Sequence, residues 1–364
     1  MSMFFIACGG TGGHLFPGLA VAEELTCRGH RVHLLISPKP IDREIVTHAP
    51  QYPVSVVPLS GWPGIGPGLL PFSIQFCRAY REAVALLRSE APDAVLGMGG
   101  FTCAPVLLAA RCRHIPAFIH ESNTIPGKVT RLLGRHLTRV LLGFEECADR
   151  LPGSTTVCTG TPVRPVLAAA RKEIVRWEGW DRETDKTTLL VLGGSQGARG
   201  LNRMVQQAVL DSQAIRDQFR VIHLSGEPDR DTLEAFYSNN GVESRVLAFC
   251  HQMEYVWPLV DLLISRSGAS TLTEAAWFGI PSILIPYPHA AERHQWYNAQ
   301  AFCRGGGGIC LEEGEKSREA FREAFIRLIS NRQERERMAD QIFRERKADA
   351  ISAVADQLTE VYHG

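Results

Sequence analysis

The sequence predicts an α/β protein of two doubly wound parallel sheets, one after the other along the chain. Three observations predict it. Short apolar runs alternate with stretches of helical period, each half opens on a strand that feeds a glycine turn, and the composition breaks once, near Gly160 to Pro165. A length of 364 residues agrees, since it exceeds one ordinary core and suits two.

In the first half the apolar runs are Phe4 to Cys8, Val32 to Ile36, Ala94 to Met98, Ala117 to His120 and Val140 to Gly143. Their near-continuous apolar character is that of strands covered on both faces. Leu19 to Arg28 has the period of a covering helix. Past Pro165 comes a charged stretch, RKEIVRWEGWDRETDK, and then Thr188 to Leu192 restarts the cadence. From Ser317 onward the chain is charged and helical in period, and can cover either domain.

Composition narrows the function. Lysine plus arginine (39) equals aspartate plus glutamate (39), so there is no basic excess of the kind nucleic-acid binding needs. The ten cysteines stand singly, without a CxxC pair, which fits a reduced, cytoplasmic setting. The opening MSMFFIACGG lacks a charged leader and reads as a buried strand, and no stretch reaches the ~20 apolar residues that span a bilayer. A soluble or membrane-peripheral protein is expected.

The motifs sit at predicted strand ends. GGTGGH (9–14) follows the first strand and GGSQGAR (193–199) follows Thr188 to Leu192, while GMGGF (97–101) leads into a helix expected near Cys103. Glycines there let the backbone approach a ligand, and a helix N-terminus favours negative charge. His14, at the mouth of the first turn, can accept a proton at neutral pH or can merely pack; His30, His33 and His48 read as packing residues. HESN (120–123) would project Glu121 and Asn123 from a strand end, with ordinary turn chemistry as the alternative.

The richest stretch is SRSGASTLTEAAWFGIPSILIPYPHAAERHQWYNA (265–299). Its small residues Ser267 to Ser270 leave a helix start open to a diphosphate. Glu274, four residues on, can take both hydroxyls of a ribose, or close a T-x-x-E capping box with Thr271. Gln295, on a loop that re-enters a helix, can bond sugar hydroxyls or face water. Arg164, in GTPVR at the domain boundary, can reach a diphosphate. The Asp229 to Asp231 pair reads as an acidic helix start and not as a metal site, so no metal is expected. Residues 60–81 are rich in Trp, Ile, Leu and Phe, with Arg78 and Arg81 at the end, and form either a buried loop and helix or a patch for an anionic membrane.

Taken in order, GGTGGH, GMGGF, HESN, GTPVR, GGSQGAR and RSGASTLTEAAWFGIP with HQWYNA closely resemble the family 28 glycosyltransferases that add N-acetylglucosamine in bacterial peptidoglycan synthesis. The resemblance implies the GT-B fold: two Rossmann-like domains facing across a cleft, 1–163 for the acceptor and membrane and 164–341 for the UDP-sugar, with a C-terminal helix, about 342–364, packing back on the first. It implies inverting transfer of GlcNAc from UDP-GlcNAc to the C4 hydroxyl of MurNAc in undecaprenyl-diphospho-MurNAc-pentapeptide, without a cofactor. It places the enzyme at the cytoplasmic face of the inner membrane, peripherally, in contact with anionic lipid and with cell-wall and division machinery. Position by position it assigns Thr11, Gly12, Gly13, Asn123, Arg164 and Ser195 to the sugar-nucleotide site, Cys250 to uracil, Ala269, Ser270, Thr271, Leu272 and Thr273 to the diphosphate, Glu274 to ribose and Gln295 to GlcNAc. His14 is the implied general base, and Gly12, Gly13, Gly99 and Gly100 an acceptor-diphosphate site. Ser122 and Thr161 depart from the family's usual glutamine and asparagine, and Cys250 from its usual isoleucine.

Rival readings share parts of this pattern. A UDP-GlcNAc 2-epimerase and a glycolipid-forming transferase have the same two-domain plan, and a non-catalytic nucleotide-binding module is a third rival. An NAD-dependent dehydrogenase is opposed by the missing G-x-G-x-x-G and by a second strand that ends Leu34, Leu35, Ile36, Ser37 without an acidic residue.

Overall fold

The computed structural model describes residues 1–10, 12–47, 49–59, 61, 64, 66, 68–170, 176–194, 197–347 and 349–360. Two compact units divide it, residues 1–164 with 347–364, and residues 165–346.

The first unit is built on seven parallel strands: β1 (Met3–Ala7), β2 (Arg31–Ile36), β3 (Val54–Val56), β4 (Ala94–Gly97), β5 (Ala117–Glu121), β6 (Arg139–Leu142) and β7 (Thr156–Cys158). Their order is β3-β2-β1-β4-β5-β6-β7. The chain leaves β1 toward β2 and β3, then crosses back to lay β4 on the other side of β1. That reversal opens a crevice at the carboxyl ends of β1 and β4, where such sheets bind ligands. Helices α1 (Gly12–Cys27), α2 (Pro40–Thr47), α3 (Leu69–Glu90), α4 (Gly100–Cys112) and α5 (Lys128–Leu133) join the strands. Because side chains alternate along a strand, Met3, Phe5 and Ala7 enter one core with the buried faces of α3 and α4. Phe4 and Ile6 enter a second core with Leu15, Val21 and Leu25 of α1. Both faces of the sheet are thus covered.

The second unit repeats the plan with β8 (Thr187–Leu192), β9 (Phe219–Leu224), β10 (Ser244–Leu247), β11 (Leu262–Ser265), β12 (Ser282–Leu284) and β13 (Gly308–Cys310), ordered β10-β9-β8-β11-β12-β13. This is the same strand order, with its reversal between β8 and β11. Its helices are α6 (Pro165–Ala170), α7 (Arg199–Leu210), α8 (Arg230–Asn239), α9 (Met253–Val256), α10 (Ala269–Phe278), α11 (His294–Arg304), α12 (Arg318–Ser330) and α13 (Arg332–Glu345).

The last helix, α14 (Ala350–Thr359), belongs to the first unit. Its Val354, Ala355 and Leu358 are buried in the α1 core, and Arg28, just past the end of α1, donates to Asp356 and Ser352, each at 2.5 Å. Among the described residues no helix is long and apolar enough to cross a membrane. The helix expected near Cys103 begins earlier, at Gly100, because Gly97 ends β4 against Cys103 and Leu107: a β-carbon on Gly97 would stand 2.9 Å from Cys103 Cβ.

Candidate active site

In the first unit the turn after β1 is locked to the segment after β2. Gly9 lies so close to Ser37 that a β-carbon on it would fall 2.0 Å from the Ser37 nitrogen, which only glycine permits. Gly10 N–H donates to Asp42 Oδ2 at 2.7 Å, and Lys39 Nζ donates to Gly10 O at 2.5 Å. The sequence reading looked for an acidic residue at the end of β2 and found none. The carboxylate that reaches the turn is Asp42, on α2, brought back by the loop between.

His14 stands in the first turn of α1, half-buried, with its ring against the backbone of Gly99 and Gly100 at the start of α4. Burial pushes its imidazole below the usual histidine value, the Glu121 and Asp42 carboxylates oppose that fall, and Lys39 adds to it. The net direction leaves a neutral ring near pH 7, the form that can take a proton. Gly12 packs on Phe16 of α1, and the Arg164 guanidinium lies over that ring, 4.8 Å from its centroid. Gly12, His14, Gly99, Gly100 and Arg164 therefore gather at the crevice between β1 and β4, with Gly13 between them on α1. Thr11 lies outside the described residues.

HESN is a loop brace more than an open acid. Glu121 is buried; its Oε1 accepts from the backbone and side-chain nitrogens of Asn123 at 3.1 and 3.2 Å, and its Oε2 from Gly127 N and Thr130 Oγ1, both at 2.8 Å. The expectation that Glu121 projects toward ligand is corrected: its lone pairs hold the turn that presents Asn123. His120 is buried and donates from Nε2 to Gly160 O at 2.9 Å, with Ser122 Oγ 3.3 Å from Nδ1. His30 and His33 are structural, the first edge-on to Phe4 and the second 2.8 Å from Ser55 Oγ. His48 is outside the described residues.

In the second unit, the turn after β8 carries Gly197 against the Ser225 carbonyl, 2.2 Å from where its β-carbon would be. Ser195 of this turn is outside the described residues. The turn after β11 starts α10 at Ala269, with Gly268 as an N-cap that makes no side-chain bond. The proposed capping box is not formed, because Thr271 and Glu274 already lie inside the helix. Leu272 N–H closes the first turn on Gly268 O at 3.1 Å and its side chain is buried, so it supplies neither group to a ligand. The N–H groups of Ala269, Ser270 and Thr271 have no carbonyl a turn earlier within the helix, which is the arrangement that receives an anion. Thr273 Oγ1 donates back to Ala269 O at 2.9 Å.

Glu274 is oriented by Trp257, whose Nε1 donates to its Oε2 at 2.8 Å. Trp257 is buried and stacked on Phe278, ring centroids 5.9 Å apart, and it lies in the same connection between β10 and β11 as buried Cys250. Gln295 is the second residue of α11, not a loop residue. Its Oε1 accepts from Tyr287 N at 2.9 Å and its carbonyl from Ser267 Oγ at 2.7 Å, which turns the amide nitrogen outward as a donor and ties α11 to the α10 turn. Sequence reasoning missed Arg266. This buried residue donates to Ile285 O at 3.0 Å and Pro286 O at 3.3 Å, and pairs with Glu313. Its signal was an arginine inside a run of small residues. Asp229 accepts from Asn202 Nδ2 at 2.8 Å, in keeping with a helix start. Among the described residues no group of three or more His, Cys, Asp or Glu is placed to hold a metal ion.

Two parallel sheets that share the 3-2-1-4-5-6 order, the first extended by a seventh strand, are the two-domain GT-B plan, and the matching family models make the chain a glycosyltransferase of that class. The chain belongs to glycosyltransferase family 28: the family's N-terminal domain matches residues 4–142 and its C-terminal domain residues 188–354. A protein of Microcystis aeruginosa is 37% identical over 97% of this chain and 95% of its own length, and one of Geobacter sulfurreducens is 33% identical over 97% of each. Both are named UDP-N-acetylglucosamine--N-acetylmuramyl-(pentapeptide) pyrophosphoryl-undecaprenol N-acetylglucosamine transferase. The crystal structure of Acinetobacter baumannii MurG superposes with a TM-score of 0.79 at 26% identity, covering 99% of this chain and all of that one. A UDP-GlcNAc 2-epimerase from Neisseria meningitidis superposes with a TM-score of 0.71 over 99% of this chain at 14% identity, a likeness of fold alone.

Proposed function

We propose that this chain transfers GlcNAc from UDP-GlcNAc to the C4 hydroxyl of MurNAc in undecaprenyl-diphospho-MurNAc-pentapeptide, with inversion. The observation that carries the reading is the start of α10, where an uncapped helix end and a carboxylate held by Trp257 lie one turn apart. That spacing suits a diphosphate and the ribose beside it. Identity of 37% along the whole length to a relative of that name supports the choice of sugar and acceptor.

In this reading the second unit binds the donor. Ala269, Ser270 and Thr271 offer N–H groups to the diphosphate, Thr273 lies a turn behind them, Glu274 takes the ribose, Gln295 the GlcNAc, and Cys250 backs the uracil. The first unit binds the acceptor, with its diphosphate at Gly12, Gly13, Gly99 and Gly100. Asn123 and Arg164, with Thr11 and Ser195 by resemblance, complete the sugar-nucleotide contacts. Neutral His14 accepts the proton of the attacking hydroxyl as the bond to UDP breaks, and the helix ends stabilise the charge that develops on the leaving diphosphate. The protein would work at the cytoplasmic face of the plasma membrane, held there by α3, where Leu70 and Ile74 are exposed beside a hollow of about 550 Å³ lined by Ser73, Ile74, Cys77, Arg78, Arg81 and Glu82, with Arg78 paired to Glu82. Incubation with UDP-GlcNAc and the lipid-linked acceptor, followed by mass spectrometry of the lipid fraction, tests the reading: a β-1,4 disaccharide product is expected, and an unchanged acceptor refutes it.

A further inference from the structure

Asp42 is fully buried, although it belongs to a short helix whose neighbours are largely exposed. Its Oδ2 accepts from Gly10 N at 2.7 Å, from Ser37 N at 3.2 Å and from Ser37 Oγ, while Oδ1 has no hydrogen-bond partner among the described residues. Lys39 grips the other side of the same residue through Gly10 O. A buried carboxylate is costly unless its hydrogen bonds offset the loss of water, so a position where a small apolar residue would pack needs a reason for the acid.

We propose that Asp42 is a positioning residue for the transfer: by holding Gly10 it sets where α1 begins, and hence where His14 lies against Gly99 and Gly100. The consequence for rate rests on His14 as the base; the consequence for His14 itself does not. The charged and titratable groups that bear on His14 are Asp42 from α2, Lys39 from the loop before it, and Glu121 and His120 from β5. Of these the two carboxylates favour the imidazolium. Removing one should make the ring harder to protonate.

The test compares Asp42→Asn and Asp42→Ala in the full chain. It reads thermal melting, kcat and KM for both substrates, and the His14 titration by NMR, assigned with His14→Gln. The asparagine keeps an acceptor for Gly10 N–H, so it should retain kcat within about threefold, while the alanine loses roughly tenfold or more with the UDP-GlcNAc KM little changed. His14 should titrate lower in both, because each variant removes the Asp42 carboxylate charge that favours the imidazolium. A folded Asp42→Ala protein with wild-type kcat and an unmoved His14 titration overturns the proposal. If the alanine does not fold, an Asp42→Asn protein with an unmoved titration overturns it equally. A fully active His14→Gln protein removes His14 as the base and overturns the claim that Asp42 serves the transfer through it.

Discussion

The His14 ring rests on Gly99: a β-carbon at that glycine would stand 3.1 Å from Nε2 and 3.4 Å from Cδ2. Gly100 meets the other edge, with its hypothetical β-carbon 3.2 Å from Cε1, and both glycines hold positive φ, 95° and 71°. Two turns far apart in the chain thus form one surface, because β1 and β4 are neighbours across the strand reversal. Gly99→Ala would add both crowding of the imidazole and backbone strain of about 1–3 kcal/mol. We expect kcat to fall by roughly tenfold or more and the melting temperature by a few degrees, measured by steady-state kinetics and calorimetry. Wild-type kcat in this variant would mean that the position of His14 is irrelevant to rate.

Trp257→Phe keeps an aromatic ring on Phe278 and deletes the N–H that orients Glu274. Hydrogen bonds to charged groups contribute about 1.5–3 kcal/mol, and part of that should appear in donor binding. The KM for UDP-GlcNAc should rise by about fivefold while kcat stays within about twofold. A change confined to kcat would place Glu274 elsewhere in the reaction.

His223 is buried with Nε2 donating to Asn202 Oδ1 at 3.0 Å and Nδ1 facing Tyr237 Oη at 2.9 Å, and burial lowers its pKa to about 3. The unfolded chain protonates this histidine near its ordinary value of 6.5, the folded chain only near 3. Between those values the unfolded state binds more protons. Its contribution to stability is therefore whole above pH 6.5 and declines as the pH falls toward 3, by about 1.4 kcal/mol per unit. Urea unfolding from pH 7.5 to 4 should show that acid limb, and His223→Gln should flatten it. An equal slope in both proteins would assign the acid sensitivity to other groups.

Leu70 and Ile74 are 71% and 63% exposed on α3. Burying such side chains in lipid is worth about 1.5–3 kcal/mol each, so Ile74→Glu should weaken co-sedimentation with vesicles rich in anionic lipid by at least tenfold. Unchanged sedimentation would remove this face of α3 from the membrane contact.

Much of the architecture was legible because apolar runs and glycine turns report local geometry. Phe4 to Cys8 and Val32 to Ile36 come within one residue of β1 and β2, since strands covered on both faces leave little room for polar residues. The turns after β1, β4 and β8 were legible as glycine clusters for the same local reason, and the turn after β11 as the run of small residues Ser267 to Ser270. What could not be read were pairings set by the fold at long range. Asp42 looks like any acidic residue of a surface helix until the sheet brings Gly10 beside it. Trp257 gave no hint of Glu274, nor Arg266 of Glu313, because each pair joins separate strand connections. Thr271 and Glu274 carry a local pattern, T-x-x-E, that would cap a helix starting at Leu272, but α10 starts at Ala269, three residues earlier.

The most direct test of the central claim is UDP release from UDP-GlcNAc, with and without the lipid-linked muramyl pentapeptide, in the presence of EDTA. The account predicts release that depends on the acceptor and survives the chelator. Conversion of the sugar without acceptor, or no release with it, would contradict the transferase reading and favour an epimerase or a different acceptor.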